Sequence, residues 1–373
     1  MSDEQTEAGQ EATVPEAPHR PVWRQLASVT VTVGVVVVVF GFVIPQLTDY
    51  REILDHITSI DPLGWVILGV LAIWFLSAAT IVWMTTLPTL RFGEGFVAQT
   101  TGTAINNSIP AGGAIAIPVQ YIMLLSFGFT PGAVTSGLLT GGVWDQLVRL
   151  ALPVVAVFAV ALTGEAMTWM WVVSLAGALV VAGAVWILST ILRSEAAARK
   201  AGEFLDRLTN RVLGWVGRGP IDVVAATLQF RLNVTAVAGK RWKVITLATV
   251  LNQAAMAALF FGSLRAVGVS TDDVSAAFVI LAFSLGRFLV IIPVSPGGLG
   301  LVDLGYIGLL TLGWGAGADP ALLSAGVLLF RGLSFIPPIF AGLGSWVFWR
   351  WNRSWRQDWQ QVRRGEVAET APS

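Results

Sequence analysis

Two short stretches decide the fold of this chain. Residues 106–113 read NNSIPAGG and residues 293–298 read PVSPGG, and they interrupt two long apolar regions, 94–128 and 274–313. Proline lacks the amide hydrogen that a helix interior needs, and glycine favours turns, so neither stretch suits an unbroken helix. Each region is therefore predicted to form a broken hairpin, meaning two short helices joined by a break in the membrane interior.

Around the broken hairpins lie segments long enough to cross a bilayer. Of the 373 residues, 55% are hydrophobic and only 12% are charged, whereas a soluble domain carries about 25% charged residues. About 20 consecutive apolar residues span a membrane. Six segments reach that length: 26–47, 63–87, 133–162, 169–192, 244–264 and 321–349. The predicted fold class is an all-α polytopic membrane protein with six full spans and two broken hairpins, each re-entrant or a pair of short crossings.

Charge and composition divide the chain into a membrane domain and two tails. Residues 1–24 are acidic at the start and rich in Ala and Pro, which predicts a disordered cytoplasmic tail. Residues 25–350 are predicted to form one transmembrane domain, and residues 351–373 a second cytoplasmic tail. Within the domain, residues 193–243 form a polar loop, in which apolar residues at helical spacing predict an amphipathic interfacial helix.

Loop charges predict which side of the membrane each loop occupies. The 193–243 loop holds ten Lys and Arg against four acidic residues. Four other loops together hold eight acidic residues and two Arg: 48–62, 163–168, 265–273 and 314–320. The positive-inside rule then places the basic loop and both termini in the cytoplasm. Counting spans from that side makes the two broken hairpins enter from opposite faces.

An internal repeat supports the same arrangement. When the chain is shifted by 185 residues, residues 110–129 align with 295–314 without a gap, and seven of the twenty positions are identical. The predicted copies are 63–162 and 244–349, each consisting of a span, a broken hairpin and a span. Copies on opposite sides of the membrane form an inverted-topology repeat, a plan that in many transporters places the substrate site between the copies.

Five ionisable residues lie within the apolar segments, and each is costly in lipid unless it is paired or functional. They are Asp145, Arg149, Arg287, Asp303 and Arg331. Asp145 and Arg149 have the spacing of an intrahelical ion pair. Arg287 and Asp303 lie on opposite limbs of the second hairpin, so the alternatives are an ion pair across the break or contact with a substrate. Arg331 has no acidic residue within a helical turn, which makes it the leading candidate for binding an anion.

The breaks themselves are candidate binding elements. Asn107 and the pair Gly112 and Gly113 precede one short helix, and the pair Gly297 and Gly298 precedes the other. Free N–H groups at a helix N-terminus attract phosphate. The alternative interpretation is that these small residues serve only close helix packing.

Several chemistries are excluded or disfavoured. The chain has no Cys and only two His, both outside the apolar segments, so no metal site, cofactor site or catalytic triad is expected. Lys plus Arg and Asp plus Glu both total 23, and nothing points to a nucleic-acid partner. The chain is accordingly not expected to be an enzyme.

At the two breaks the sequence resembles a known family. Residues 292–300, IPVSPGGLG, followed by Asp303, resemble the signature of the lysylphosphatidylglycerol synthetase transmembrane-region family. Residues 106–114, followed by Tyr121 and residues 126–128, resemble its first-half motif. The resemblance covers about residues 25–350. It implies the lipid flippase domain of multiple-peptide-resistance-factor proteins, while the 24 residues after Trp349 are too few for their aminoacyl-transferase domain.

The predicted function, following the resemblance, is translocation of an anionic phospholipid, such as an aminoacyl-phosphatidylglycerol or a polyprenyl-linked lipid, between the leaflets of a bacterial-type inner (plasma) membrane. The expected partners are membrane lipids and a lipid-modifying or cell-envelope enzyme. Two alternatives remain at this point, a secondary transporter of a small soluble anion and a non-catalytic membrane partner of such an enzyme.

Overall fold

A computed structural model describes residues 50–109, 112–162, 168–215, 222–289, 300–314, 317, 319–352 and 355. Within these ranges the chain forms helices joined by short turns. In chain order they are α1 Tyr50–Thr58, α2 Pro62–Thr86, α3 Phe92–Ser108, α4 Gly113–Ser126, α5 Pro131–Leu162, α6 Thr168–Arg193, α7 Glu195–Trp215, α8 Val223–Ala266, α9 Ala276–Leu289, α10 Leu301–Trp314 and α11 Pro320–Trp351.

Five of these helices are long and apolar enough to cross a membrane, namely α2, α5, α6, α8 and α11. Side-chain caps fix where two of them begin. Asp61 accepts a hydrogen bond from the Gly64 N–H ahead of α2, and Asp319 accepts from the Ala321 and Leu322 N–H groups ahead of α11. The predicted all-α polytopic membrane fold is confirmed. The predicted first span, 26–47, and both predicted tails lie outside the described residues.

The two interrupted regions form pairs of short helices, as predicted. Helices α3, α4, α9 and α10 have 17, 14, 14 and 14 residues, which is less than the roughly 20 residues of a full crossing. Helices α3 and α4 pack against each other to form the first hairpin, and α9 and α10 pack to form the second. The PVSPGG break of the second hairpin lies outside the described residues.

The first helix of each hairpin packs against the last span of the other half of the chain. Helix α3 of the first hairpin packs along α11, the last span of the second half, and α9 of the second hairpin packs along α5, the last span of the first half. Helices α2 and α8 are also extensively packed against each other. Two copies of one unit would produce this reciprocal packing, and the repeat itself stays a prediction. The opposite sidedness of the copies stays a prediction.

The same packing device recurs in both hairpins. A Cβ atom on Gly102 of α3 would lie 1.9 Å from the Gln120 amide nitrogen on α4, and a Cβ atom on Gly286 of α9 would lie 2.0 Å from the Tyr306 ring on α10. In each hairpin a glycine on the first limb thus makes room for a large side chain of the second limb.

The core lies beside the second hairpin. Phe260 of α8 is fully buried, and its ring centroid lies 4.6 Å from that of Tyr306 and 5.1 Å from that of Phe330. Aromatic pairs at such distances add to the free energy gained from burial. This cluster holds α8, α10 and α11 together.

Helix α8 is longer than predicted. The sequence suggested a span over 244–264, but α8 has 44 residues and begins at Val223. At 1.5 Å per residue it is about 66 Å long, roughly twice the thickness of the hydrocarbon core. The first half therefore projects beyond the bilayer, where it packs against the amphipathic helix α7. No proline interrupts residues 223–266, so the polar half continues the helix of the apolar half.

Candidate functional site

A cavity of about 240 Å³ lies where the two halves of the chain meet. Helices α2, α3, α5, α8, α9 and α11 line it, and most of its side chains are polar although the surrounding spans are apolar. The polar lining residues are Gln99, Thr100, Thr103, Asn106, Asn107, Arg149, Asn252, Gln253, Arg287, Arg331 and Ser334.

Arg287 is the cation of the cavity that has no counter-ion in the described part of the chain. It lies near the end of α9, lines the cavity and is only 8% exposed. Its Nε atom is buried without a hydrogen-bond partner, and across the described ranges no carboxylate lies within ion-pair distance of it. Its charged neighbours are Arg149, Arg331 and Asp145. A buried charge of this kind is costly unless a ligand or another group compensates it.

Arg331 bonds to Asp303. The Arg331 Nε donates to an Asp303 carboxylate oxygen, and the two residues are 6% and 0% exposed. The guanidinium also lies 5.5 Å and 5.8 Å from the ring centroids of Phe335 and Tyr306. The pairing of Arg287 with Asp303 that the sequence suggested is therefore wrong in this structure. Helix α10 packs on α11, which brings Asp303 to Arg331 across a separation of 28 residues.

Asp303 also occupies part of a helix N-terminus. Its second carboxylate oxygen accepts a hydrogen bond from the Gly300 N–H at 2.9 Å, just ahead of α10. A carboxylate at this position already complements the helix dipole. Fewer N–H groups of α10 are thus left for a phosphate than the sequence suggested.

Asp145 and Arg149 form the intrahelical ion pair that their spacing predicted. The Arg149 Nη2 lies 2.7 Å from an Asp145 oxygen, and both side chains are about one quarter exposed. The other Asp145 oxygen accepts a hydrogen bond from Gln253 Nε2 of α8 at 2.7 Å. Arg149 and Gln253 both line the cavity, so Asp145 joins two sides of its wall.

The charges at the site do not cancel. Among the described residues that line the cavity or bond to its lining, three guanidinium groups face two carboxylates. Each carboxylate is committed to one arginine, and Arg287 accounts for the excess positive charge. In an apolar surrounding this excess favours an anionic ligand.

The first break contributes neutral groups. Asn106 and Asn107, in the last turn of α3, both line the cavity. After the break, the Gly112 N–H donates to the Ile109 carbonyl at 2.8 Å. A Cβ atom on Gly112 would lie 2.4 Å from the Ile105 carbonyl oxygen, so Gly112 serves packing. A Cβ atom on Gly113 would meet only the Asn106 side chain, at 3.3 Å, so Gly113 lies beside the cavity wall.

The structure thus brings together part of the predicted site. Four predicted residues line the cavity: Asn107, Arg149, Arg287 and Arg331. Asp145 and Asp303 do not line the cavity, but they form ion pairs with the lining residues Arg149 and Arg331. Gly297 and Gly298 lie outside the described residues. Sequence reasoning missed the neutral amides, above all Asn252 and Gln253. Two consecutive amides inside the apolar stretch 244–264 are the signal that would have found them.

The fold and the cavity define a class, the polytopic membrane proteins with a polar, cationic cavity between the two halves of the chain. The sequence pattern of the lysylphosphatidylglycerol synthase TM region family matches residues 25–342, well over half of the chain. The chain therefore belongs to that family, and membership indicates a lipid-related role for a multi-pass membrane protein. Among curated proteins none matches the chain.

Proposed function

We propose that this protein translocates an anionic lipid between the leaflets of the inner membrane without altering it chemically. The observation that carries the proposal is Arg287, a buried cation on the cavity wall without a counter-ion in the described ranges. A phosphate group entering the cavity would supply the missing negative charge and accept hydrogen bonds from the guanidinium.

The size of the cavity favours a lipid head group over a whole molecule. Its volume of about 240 Å³ lies below the roughly 300–1,000 Å³ of pockets that enclose drug-sized ligands. A phosphorylated head group suits this space, whereas acyl chains do not and would stay in the bilayer. Helices α2 and α5 carry exposed apolar residues along which such chains would lie, for example Val66, Ile73 and Val155.

Reconstitution tests the proposal directly. The purified chain is placed in liposomes that contain an acyl-chain-labelled phosphatidylglycerol, and dithionite added outside bleaches the label in the outer leaflet. We expect bleaching to exceed the protein-free level of about half, because inner-leaflet lipid becomes accessible. In parallel, uptake of radiolabelled glycerol 3-phosphate is measured in the same liposomes. Solute uptake without lipid movement would identify a transporter of a soluble anion and would refute the proposal.

The proposed orientation has its own test. We propose that the basic helices α7 and α8 project into the cytoplasm and that the 267–275 turn faces outside. The native chain contains no Cys, so single cysteines report cleanly. In intact cells Asp272→Cys should react with an impermeant maleimide and Lys200→Cys should not. The opposite pattern would reverse the orientation. A lipid-modifying or cell-envelope enzyme remains a proposed partner, to be sought by crosslinking from the cytoplasmic helices.

A further inference from the structure

The cavity wall contains a buried acceptor without a hydrogen-bond partner as well as the cation Arg287. Gln253 of α8 lines the cavity and is 2% exposed, and its side-chain oxygen Oε1 is buried without a hydrogen-bond partner. Buried polar atoms in native proteins nearly always have a partner, and leaving one unpaired is costly. A buried acceptor in the wall of a polar cavity therefore points to a donor that the ligand supplies.

The orientation of the Gln253 amide is fixed by chemistry. Its nitrogen Nε2 donates to Asp145 at 2.7 Å, and an ionised carboxylate accepts hydrogen bonds only. Turning the amide over would place Oε1 against the Asp145 carboxylate, which is unfavourable. Asp145 is held in turn by Arg149 at 2.7 Å. Arg149 therefore holds Asp145, and Asp145 holds the Gln253 nitrogen, so the Gln253 oxygen remains available as an acceptor.

We infer that the site selects head groups that carry a hydrogen-bond donor next to the phosphate. The donor is a hydroxyl or an ammonium group, and Gln253 accepts the hydrogen bond from it. The inference rests on the proposed function and adds to it a rule of specificity. The phosphate is bound at Arg287, and the donor is bound at Gln253 Oε1. An anionic lipid whose head group has no donor leaves the Gln253 oxygen unpaired and is a poor substrate.

Three labelled lipids of equal net charge test the inference in liposomes. Phosphatidylglycerol offers a hydroxyl donor, phosphatidylserine offers an ammonium donor, and phosphatidylmethanol offers none. We expect the native protein to translocate at least one of the first two about fivefold or more faster than phosphatidylmethanol, since one lost hydrogen bond is worth roughly that factor. The faster of the two identifies the kind of donor that the site prefers.

The variant Gln253→Met removes the acceptor while nearly preserving the volume of the side chain. We expect it to slow only the donor-bearing lipids, so that the advantage over phosphatidylmethanol disappears. Gln229→Met is the matched control, because Gln229 lies on the same helix, is exposed and does not line the cavity. It should leave all three rates unchanged.

The outcomes separate the two proposals. If the native protein moves all three lipids at equal rates, the donor rule is wrong and lipid translocation stands. If Gln253→Met slows all three lipids alike, Gln253 is structural and the inference is likewise overturned. If the native protein moves no lipid, the proposed function itself fails. The comparison of lipids in the native protein needs no variant, so poor folding of Gln253→Met would not prevent a decision.

Discussion

The two broken hairpins share their packing and differ in their chemistry. Each places a glycine on its first limb against a large side chain on its second limb, Gly102 against Gln120 and Gly286 against Tyr306. The second hairpin carries Arg287 and Asp303, whereas the described part of the first hairpin has one ionisable residue inside its helices other than Tyr121, Glu94 in the first turn of α3. The packing is thus held in common, while the charge lies in the second hairpin. Each prediction below compares a hairpin residue with a second residue of the same type.

The largest effect is expected at the ion pair of the second hairpin. Asp303→Asn leaves Arg331 buried without its carboxylate, and breaking a buried pair costs about 3–5 kcal/mol. Asp145→Asn breaks a pair that is about one quarter exposed and should cost about 1 kcal/mol or less. The free energy of unfolding in detergent micelles measures both. Equal losses would show that the two pairs contribute alike.

The second effect concerns transport at constant stability. Arg287→Met removes the cation that lacks a counter-ion in the described ranges, so we expect lipid translocation about 100-fold slower while stability is unchanged or slightly raised. Arg265→Met is the control, since Arg265 lies outside the cavity and donates to the carbonyls of Val269 and Val274. It should lower stability and leave transport intact. Normal transport by Arg287→Met would remove the central support for an anionic substrate.

The third effect tests the shared packing. Gly286→Ala forces a methyl group against the buried Tyr306 ring and should cost about 3 kcal/mol, near the upper end for overpacking. Gly102→Ala meets the flexible end of Gln120 and should cost about 1 kcal/mol. Thermal unfolding of the two variants gives the comparison. If Gly286→Ala were as stable as the native protein, the tight packing of the second hairpin would be wrong.

The smallest effect separates two adjacent glycines at the first break. Gly112→Ala places its methyl group against backbone and should cost about 2 kcal/mol, whereas Gly113→Ala should cost less than about 0.5 kcal/mol. Because Gly113 lies beside Asn106, its variant should slow translocation by a few fold. Parallel losses of stability and transport at both positions would mean that the glycine pair serves packing alone.

The sequence was sufficient to predict the elements of the fold but only some of their partners. The prolines and glycines of 106–113 predicted the first break, and apolar length predicted the spans, because both depend on local backbone chemistry and hydropathy. The full length of α8 was missed because the positive charges at 240–243 suggested the end of an element, although charged residues are good helix formers.

The site was harder to predict because its key pairings are not local. The Asp145–Arg149 pair follows from a spacing of four residues and was expected. The Asp303–Arg331 pair depends on how α10 packs against α11, which no spacing reveals. Neutral amides such as Gln253 carry no charge penalty that would single them out in a membrane segment. Their role becomes visible only once Asp145 fixes the orientation of the amide.

The contact between α3 in the first half of the chain and α11 in the second half has a consequence for biosynthesis. Helix α3 reaches its packing partner α11 only after about 200 further residues have been made. At about 5–20 residues per second the ribosome needs on the order of 10–40 s for that stretch. During this interval α3 and α4, which carry polar amides, lack their contact with α11. Helices α2 and α4 cover part of α3 from the start, so we expect that only the face of α3 that later contacts α11 has to be shielded from lipid by the membrane insertion machinery.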